Sequence, residues 1–130
     1  MSQQLYVMLM ENKNPLNSEV VQHHVDYLKK QDASGRLVLC GPFTDYNGGM
    51  VIYKAASFEE AADLANNDPF IKEGYKTFEL RTLEWANKDN NYLLDWFIDK
   101  LEWGCYTRNI VLSIVQQLPI IIATSLNILQ

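Results

Sequence analysis

The sequence has little cysteine and little positive charge, and each shortage removes a class of protein. Two cysteines in 130 residues, Cys40 and Cys105, stand far apart with no Cys-x-x-Cys pair. That leaves neither a disulfide framework nor a zinc site to build on, and a cytoplasmic, reducing setting is the expectation. Eleven Lys and Arg against sixteen Asp and Glu give a formal charge of -5 and a sequence pI near 4.9. A protein that grips nucleic acid by its phosphates displays clustered Lys and Arg along one face. Lys29-Lys30 is the only basic doublet, so no nucleic-acid partner is expected. The start MSQQLYVMLM lacks the basic residues, long apolar region and cleavage site of a secretory signal. No phosphate loop is present, because Gly48-Gly49 is followed by neither Gly-Lys-Ser nor a helix start, and no Gly-x-Ser-x-Gly nucleophile elbow occurs. No cofactor is expected.

What remains is an ordinary globular composition, 48% apolar and 21% charged, with enough apolar material for one core. Leu5 to Met10 is a short apolar run that reads as a strand. Pro15 and Asn17-Ser18 supply helix-start chemistry and Gly35 a stop, which predicts a helix over roughly residues 18 to 33. Leu37 to Cys40 and Met50 to Tyr53 are two further runs, separated by Gly41-Pro42 and by the hairpin signal Asn47-Gly48-Gly49, and are expected to pair antiparallel. Ser57-Phe58-Glu59-Glu60 reads as a capping box, followed by a stripe of Phe58, Ala61, Ala62 and Ala65. Asp68-Pro69 opens a single turn that Gly74 closes, and Tyr75 to Trp85 reads as the last strand. The order β-α-β-β-α-β is an α+β, ferredoxin-like pattern. In such a fold the helices cover one sheet face, yet three of the four strands are apolar at both parities. A second copy, or the chain's own C-terminal extension, is expected to cover the other face.

One histidine stands out. His24 falls on the apolar stripe of the first helix with Val21, Val25 and Leu28, so its ring should point inward, while His23 is turned about 100° away toward water. An imidazole so placed needs a hydrogen-bond partner. No metal is expected, since adjacent His23 and His24 cannot face one ion from a helix and no third ligand stands at ligand spacing.

With these residues placed, the segment from about Leu5 to Ala86 resembles the YCII-related (YciI-like) family. The resemblance rests on His24, Gly35-Arg36-Leu37, Gly41-Pro42, Gly48-Gly49, and Asp68-Pro69-Phe70 followed by Gly74, in that order. It implies a homodimeric α+β barrel in which two ferredoxin-like sheets enclose a cleft. It further implies a histidine and aspartate pair suspected of catalysis, which maps onto His24 and Asp68. Many members carry an arginine three residues before that histidine, where this chain has Val21. A carboxylate beside His24 would fix its tautomer and free its other nitrogen to move a proton. With no nucleophile in sight, the reactions that fit are isomerisation, elimination or hydrolytic dehalogenation of a small cyclic or aromatic molecule. Muconolactone isomerases and cofactor-independent monooxygenases share the barrel architecture, which is analogy at the level of the fold.

Plainer readings stand beside these. Asp before Pro is an ordinary helix N-cap, and a histidine on an apolar helix face is often a packed core residue. A non-enzymatic small-molecule-binding or regulatory module of the same fold is the alternative to an enzyme. Tyr6, Phe43, Tyr46 and Phe78 are candidate walls for a flat ligand, although core packing explains the strand pair equally well, and Arg81 is a candidate partner for a substrate carboxylate. After Ala86 the resemblance stops. Residues 87–130 form an extension: the polar linker Lys88 to Asn91, then a helical stripe of Leu93, Leu94, Phe97, Ile98 and Leu101 flanked by Trp96 and Trp103. From Asn109 to Gln130 no residue is charged, and residues 110–129 are long enough to span a bilayer. A membrane anchor, a buried covering segment and a non-native addition all fit that stretch. The first 86 residues already complete the expected fold, so the extension is expected to be peripheral to function.

Overall fold

The structure, a computed structural model, describes residues 4–102. The chain divides into two compact units with the break between Trp85 and Ala86. The first contains β1 (Gln4–Asn12), α1 (Ser18–Ala33), β2 (Leu37–Pro42), β3 (Gly48–Tyr53), α2 (Phe58–Asn66), α3 (Pro69–Lys72) and β4 (Lys76–Glu84). The four strands make one antiparallel sheet in the order β2-β3-β1-β4, with Met8 opposite Val51 on one side and Leu80 on the other. Element order and strand order together are the ferredoxin-like arrangement that the apolar pattern predicts.

Strand alternation sorts the residues between two faces. Tyr6, Met8 and Met10 of β1, Val51 and Tyr53 of β3 and Leu80 of β4 point to one side. There they form the core with Val20 of α1, Ala61, Leu64 and Ala65 of α2 and Phe70 of α3. All three helices therefore lie on that face. The opposite face carries Leu9, Leu39 and Leu83, which are 36%, 51% and 43% exposed.

Local chemistry explains the helix limits. The Asn17 side chain accepts from the Val20 N–H at 2.9 Å and so caps α1, a contact worth about 1 kcal/mol. Gly35 follows the end of α1 at φ 79° and Gly74 the end of α3 at φ 85°, left-handed positions where a Cβ is strained. At α2 the Ser57 hydroxyl accepts from Glu60 N–H, but Glu60 reaches back to the Ala56 N–H, one residue earlier than a capping box requires. Phe58, expected on the buried stripe, is half-exposed as the first residue of α2, and Leu64 takes its place between Ala61 and Ala65.

The hairpin differs from expectation. Gly48 and Gly49 do not form the turn; both lie in β3, and the connection is made by residues 43–47. Their φ angles are not positive. A Cβ on Gly48 would collide with the Met10 carbonyl oxygen, and one on Gly49 would lie 2.9 Å from the Gly41 carbonyl oxygen. The glycines serve close strand approach rather than turn geometry, a second use that sequence alone does not separate from the first.

In the second unit the stretch expected as a polar linker is ordered as a 3-10 turn over Lys88–Leu93, with Asn87 and Asn90 capping each other. Asn91, Tyr92 and Leu93 all have left-handed φ, between 51° and 61°. α4 (Leu94–Glu102) carries Leu94, Phe97, Ile98 and Leu101 as the stripe predicts. Among the described residues no helix is long and apolar enough to cross a membrane. The uncharged segment 110–129 lies outside the described residues.

Candidate active site

The tripeptide Asp68-Pro69-Phe70 supplies three parts of the site at once. Asp68 is the N-cap of α3, and Pro69 suits the first helical position because its missing N–H would have no partner there. The Asp68 carboxylate is fully buried, and its Oδ1 accepts from the Phe70 N–H at 2.9 Å and contacts His24 Nδ1 at 2.8 Å. Capping and pairing with the histidine are thus two uses of one oxygen. The Phe70 ring then stacks on the His24 ring, centroids 3.8 Å apart and planes within 16°. Carboxylate and ring together fix the imidazole in position and in plane.

Proton positions follow from the donors available. Oδ1 already accepts from a backbone N–H, and an ionised carboxylate has no proton to give, so His24 Nδ1 is the donor. In the neutral ring, Nε2 is then the bare nitrogen. No residue among those described hydrogen-bonds to it. Asp68 Oδ2 and the Tyr53 hydroxyl are both buried without a hydrogen-bond partner among the described residues. The carboxylate's charge is felt around it: burial first and Asp68 second push the Tyr27 hydroxyl up to about 12, and the same two causes raise Tyr53.

His24 lines a cleft of about 440 Å³ whose walls are almost wholly apolar. Val21, Val25 and Leu28 come from α1, as the stripe predicts, and Pro42, Met50 and Phe70 from β2, β3 and α3. Besides His24 the polar side chains in its lining are Cys40 and Lys76. Cys40 is exposed overall, but partial desolvation of its thiol, then Asp32 and Asp68, push it above its ordinary value, so it is a poor nucleophile at neutral pH. The volume lies in the lower part of the roughly 300–1,000 Å³ typical of small-molecule sites.

A family model for the YCII-related domain matches residues 4–86. The Uncharacterized protein YjpA of Bacillus subtilis (strain 168) is 37% identical over 83 residues, spanning 64% of this chain and 95% of that protein. The chain belongs to the YCII-related family. Among solved structures, this YCII-related chain is similar to a 5-chloro-2-hydroxyhydroquinone dehydrochlorinase from Burkholderia phenoliruptrix AC1100 in complex with 2,5-dihydroxybenzoquinone. The TM-score is 0.47 at 20% identity, covering 67% of this chain and 98% of that one. It is also similar to a muconolactone isomerase, with TM-score 0.49 at 11% identity, covering 64% and 88%.

The remaining candidates in this YCII-related domain do not line the His24 cleft. Tyr6 has the right parity but sits in the core, edge-on to Phe58 at 6.4 Å. Arg81 stands on the opposite sheet face, largely exposed, with its guanidinium 3.1 Å from Glu79. Phe43, Tyr46 and Phe78 border a separate hollow of about 460 Å³ that also includes Glu11 and Glu79. Strand parity separates Arg81 from the cleft, and the position of the loop at residues 43–47 separates the two aromatics. His23 is half-exposed, with Nδ1 3.3 Å from a Glu73 oxygen, and is not part of the cleft lining. Two lining residues lie outside the expected pocket walls: Lys76, and Phe70 of the Asp68-Pro69-Phe70 run. Lys76 shares parity with Phe78 and Leu80, so a lysine predicted to face the core was the available signal.

Proposed function

We propose that the cleft is an acid/base site for a small, largely apolar organic molecule, with His24 Nε2 as the proton-transferring atom and Asp68 as its positioning residue. The observation that carries this reading is the 2.8 Å contact between His24 Nδ1 and a fully buried carboxylate at the wall of the cleft. A fixed tautomer with the free nitrogen as acceptor suits general-base catalysis, which contributes about 10²–10⁴-fold in rate. Isomerisation by proton shift and elimination of HX begin with proton removal from carbon, while in hydrolytic dehalogenation the base takes the proton of the attacking water as its oxygen bonds to carbon and halide leaves; none of the three needs a redox cofactor. The functional form is a homodimer, in which the sheet face bearing Leu9, Leu39 and Leu83 packs against a second copy.

The alternative is a binding module in which the pair only holds shape. The stacking of His24 on Phe70 and the double use of Asp68 Oδ1 favour it, since both also serve packing. Solvent exchange separates the two readings. The full chain is incubated in D2O with a panel of small cyclic carbonyl compounds and carboxylic acids, and deuterium at carbon is read by mass spectrometry. An enzyme exchanges or consumes at least one compound, and His24→Gln abolishes it. Binding without exchange or turnover across the panel leaves the module.

A further inference from the structure

Lys76 is a buried cation with no counter-ion among the described residues. The residue is 8% exposed, lines the cleft, and opens β4 two residues after Gly74. Its ammonium lies 4.4 Å from the centroid of the Phe70 ring, and no hydrogen bond or ion pair reaches it among the described residues. A lysine rarely goes inside unless paired, because three N–H donors and a full charge lose their water. The neighbouring carboxylate does not supply the pair. Asp68 gives Oδ1 to His24 and to the Phe70 backbone, and its Oδ2, although unpartnered, makes no ion pair with Lys76 among the described residues. The ring face of Phe70 offsets part of the cost through its quadrupole, but it accepts no full hydrogen bond. Burial holds the amine below the ordinary lysine value, and the Asp68 charge opposes that fall.

We propose that Lys76 is the specificity-determining residue of the cleft and that the site takes small organic monoanions whose charge sits on oxygen. The inference rests on the acid/base reading of the same cleft and names the substrate class for it. His24 and Lys76 both line the one cleft with Val21, Val25 and Met50, so a one-ring molecule held by an anionic oxygen at Lys76 shares its walls with His24. The apolar lining raises the strength of the single charge contact, since a charge-assisted hydrogen bond gains in a low dielectric.

Four probes test this on the full chain: benzoate with neutral benzamide, and 4-nitrophenolate with neutral nitrobenzene, followed by chemical shifts of cleft methyl groups. Each anion is expected to bind the parent at least about tenfold more tightly than its neutral match, the equivalent of one charged hydrogen bond. The carboxylate and phenolate arms report which oxygen anion is preferred. Lys76→Met is expected to abolish the preference while keeping the affinity for the neutral probe, which also shows that the cleft is intact; Lys76→Arg is expected to keep it. Equal affinity for anion and neutral probe, a preference that survives Lys76→Met, or no binding of any probe overturns the assignment. The two levels separate in the parent: anion preference with no compound exchanged in D2O leaves Lys76 standing and the acid/base reading fallen, whereas exchange without anion preference does the reverse.

Discussion

Asp68→Ala should be among the most destabilising single changes in the first unit, although it removes few atoms. The carboxylate caps α3, and losing an N-cap costs about 1 kcal/mol. It also holds His24 Nδ1, whose N–H would be left without its acceptor at a site 8% exposed, a further cost of about 1–3 kcal/mol. Together these give roughly 2–4 kcal/mol. For a unit of this size about 3 kcal/mol lowers Tm by roughly 12–24 °C. Asp68→Asn is the informative contrast. Asparagine caps as well as aspartate, and its amide oxygen accepts both bonds, so what is lost is the charge assistance, about 1 kcal/mol. Urea denaturation of parent and both variants near neutral pH, followed by far-UV circular dichroism, measures the three stabilities. A cost below about 0.5 kcal/mol for alanine would refute the reasoning, because surface substitutions without a specific contact fall in that range. Equal costs for alanine and asparagine would show that the charge, not the acceptor geometry, holds the site.

Gly48→Ala should prevent the native β1–β3 pairing, since its Cβ meets the Met10 carbonyl, whereas Gly35→Ala, in open space at φ 79°, should cost only about 1–2 kcal/mol; thermal melts compare them. Alkaline stability should depend on Tyr27, whose hydroxyl donates to the Leu64 carbonyl at 2.8 Å and is pushed from 10.0 to about 12. The unfolded tyrosine loses its proton first, so this contribution is complete below pH 10 and is lost as pH rises toward about 12; Tyr27→Phe should flatten the fall in urea midpoint over that window. Lys76 acts in the opposite direction, because its folded value is depressed. The unfolded chain holds the proton longer, so stability rises with pH from the folded value up to 10.5, and Lys76→Met should remove that rise. Cys40 should react with iodoacetamide at pH 8 more slowly than a free thiol, read by peptide mass spectrometry, because burial and the Asp32 and Asp68 charges hold its proton on.

The sequence was legible where one local rule had one meaning. Asn17 before α1, Asp68-Pro69 before α3 and the Val21, His24, Val25, Leu28 stripe each translated directly into structure, because capping and helical period are short-range. It misled where one residue type serves two ends. Gly48 and Gly49 read as a turn and proved to be strand glycines that admit a neighbouring carbonyl. The cleft wall was the least legible part. Tyr6, Phe78 and Arg81 are candidates by residue type and strand placement alone, but membership of the wall depends on which helix lies over which strand pair. That is long-range information. A single lysine at a strand start, such as Lys76, normally reads as solvated, and only its parity with Phe78 and Leu80 says otherwise.

The central claim is that His24 donates from Nδ1 to Asp68 and keeps Nε2 free. The direct measurement is a two-bond ¹H–¹⁵N correlation spectrum of the full chain, recorded with the ring neutral, in parent, Asp68→Asn and Asp68→Ala. The account predicts a protonated Nδ1 and a bare Nε2 for His24 in the parent, retained in Asp68→Asn, whose amide oxygen still accepts, and lost in Asp68→Ala. A proton on Nε2 in the parent, unchanged by either substitution, contradicts it.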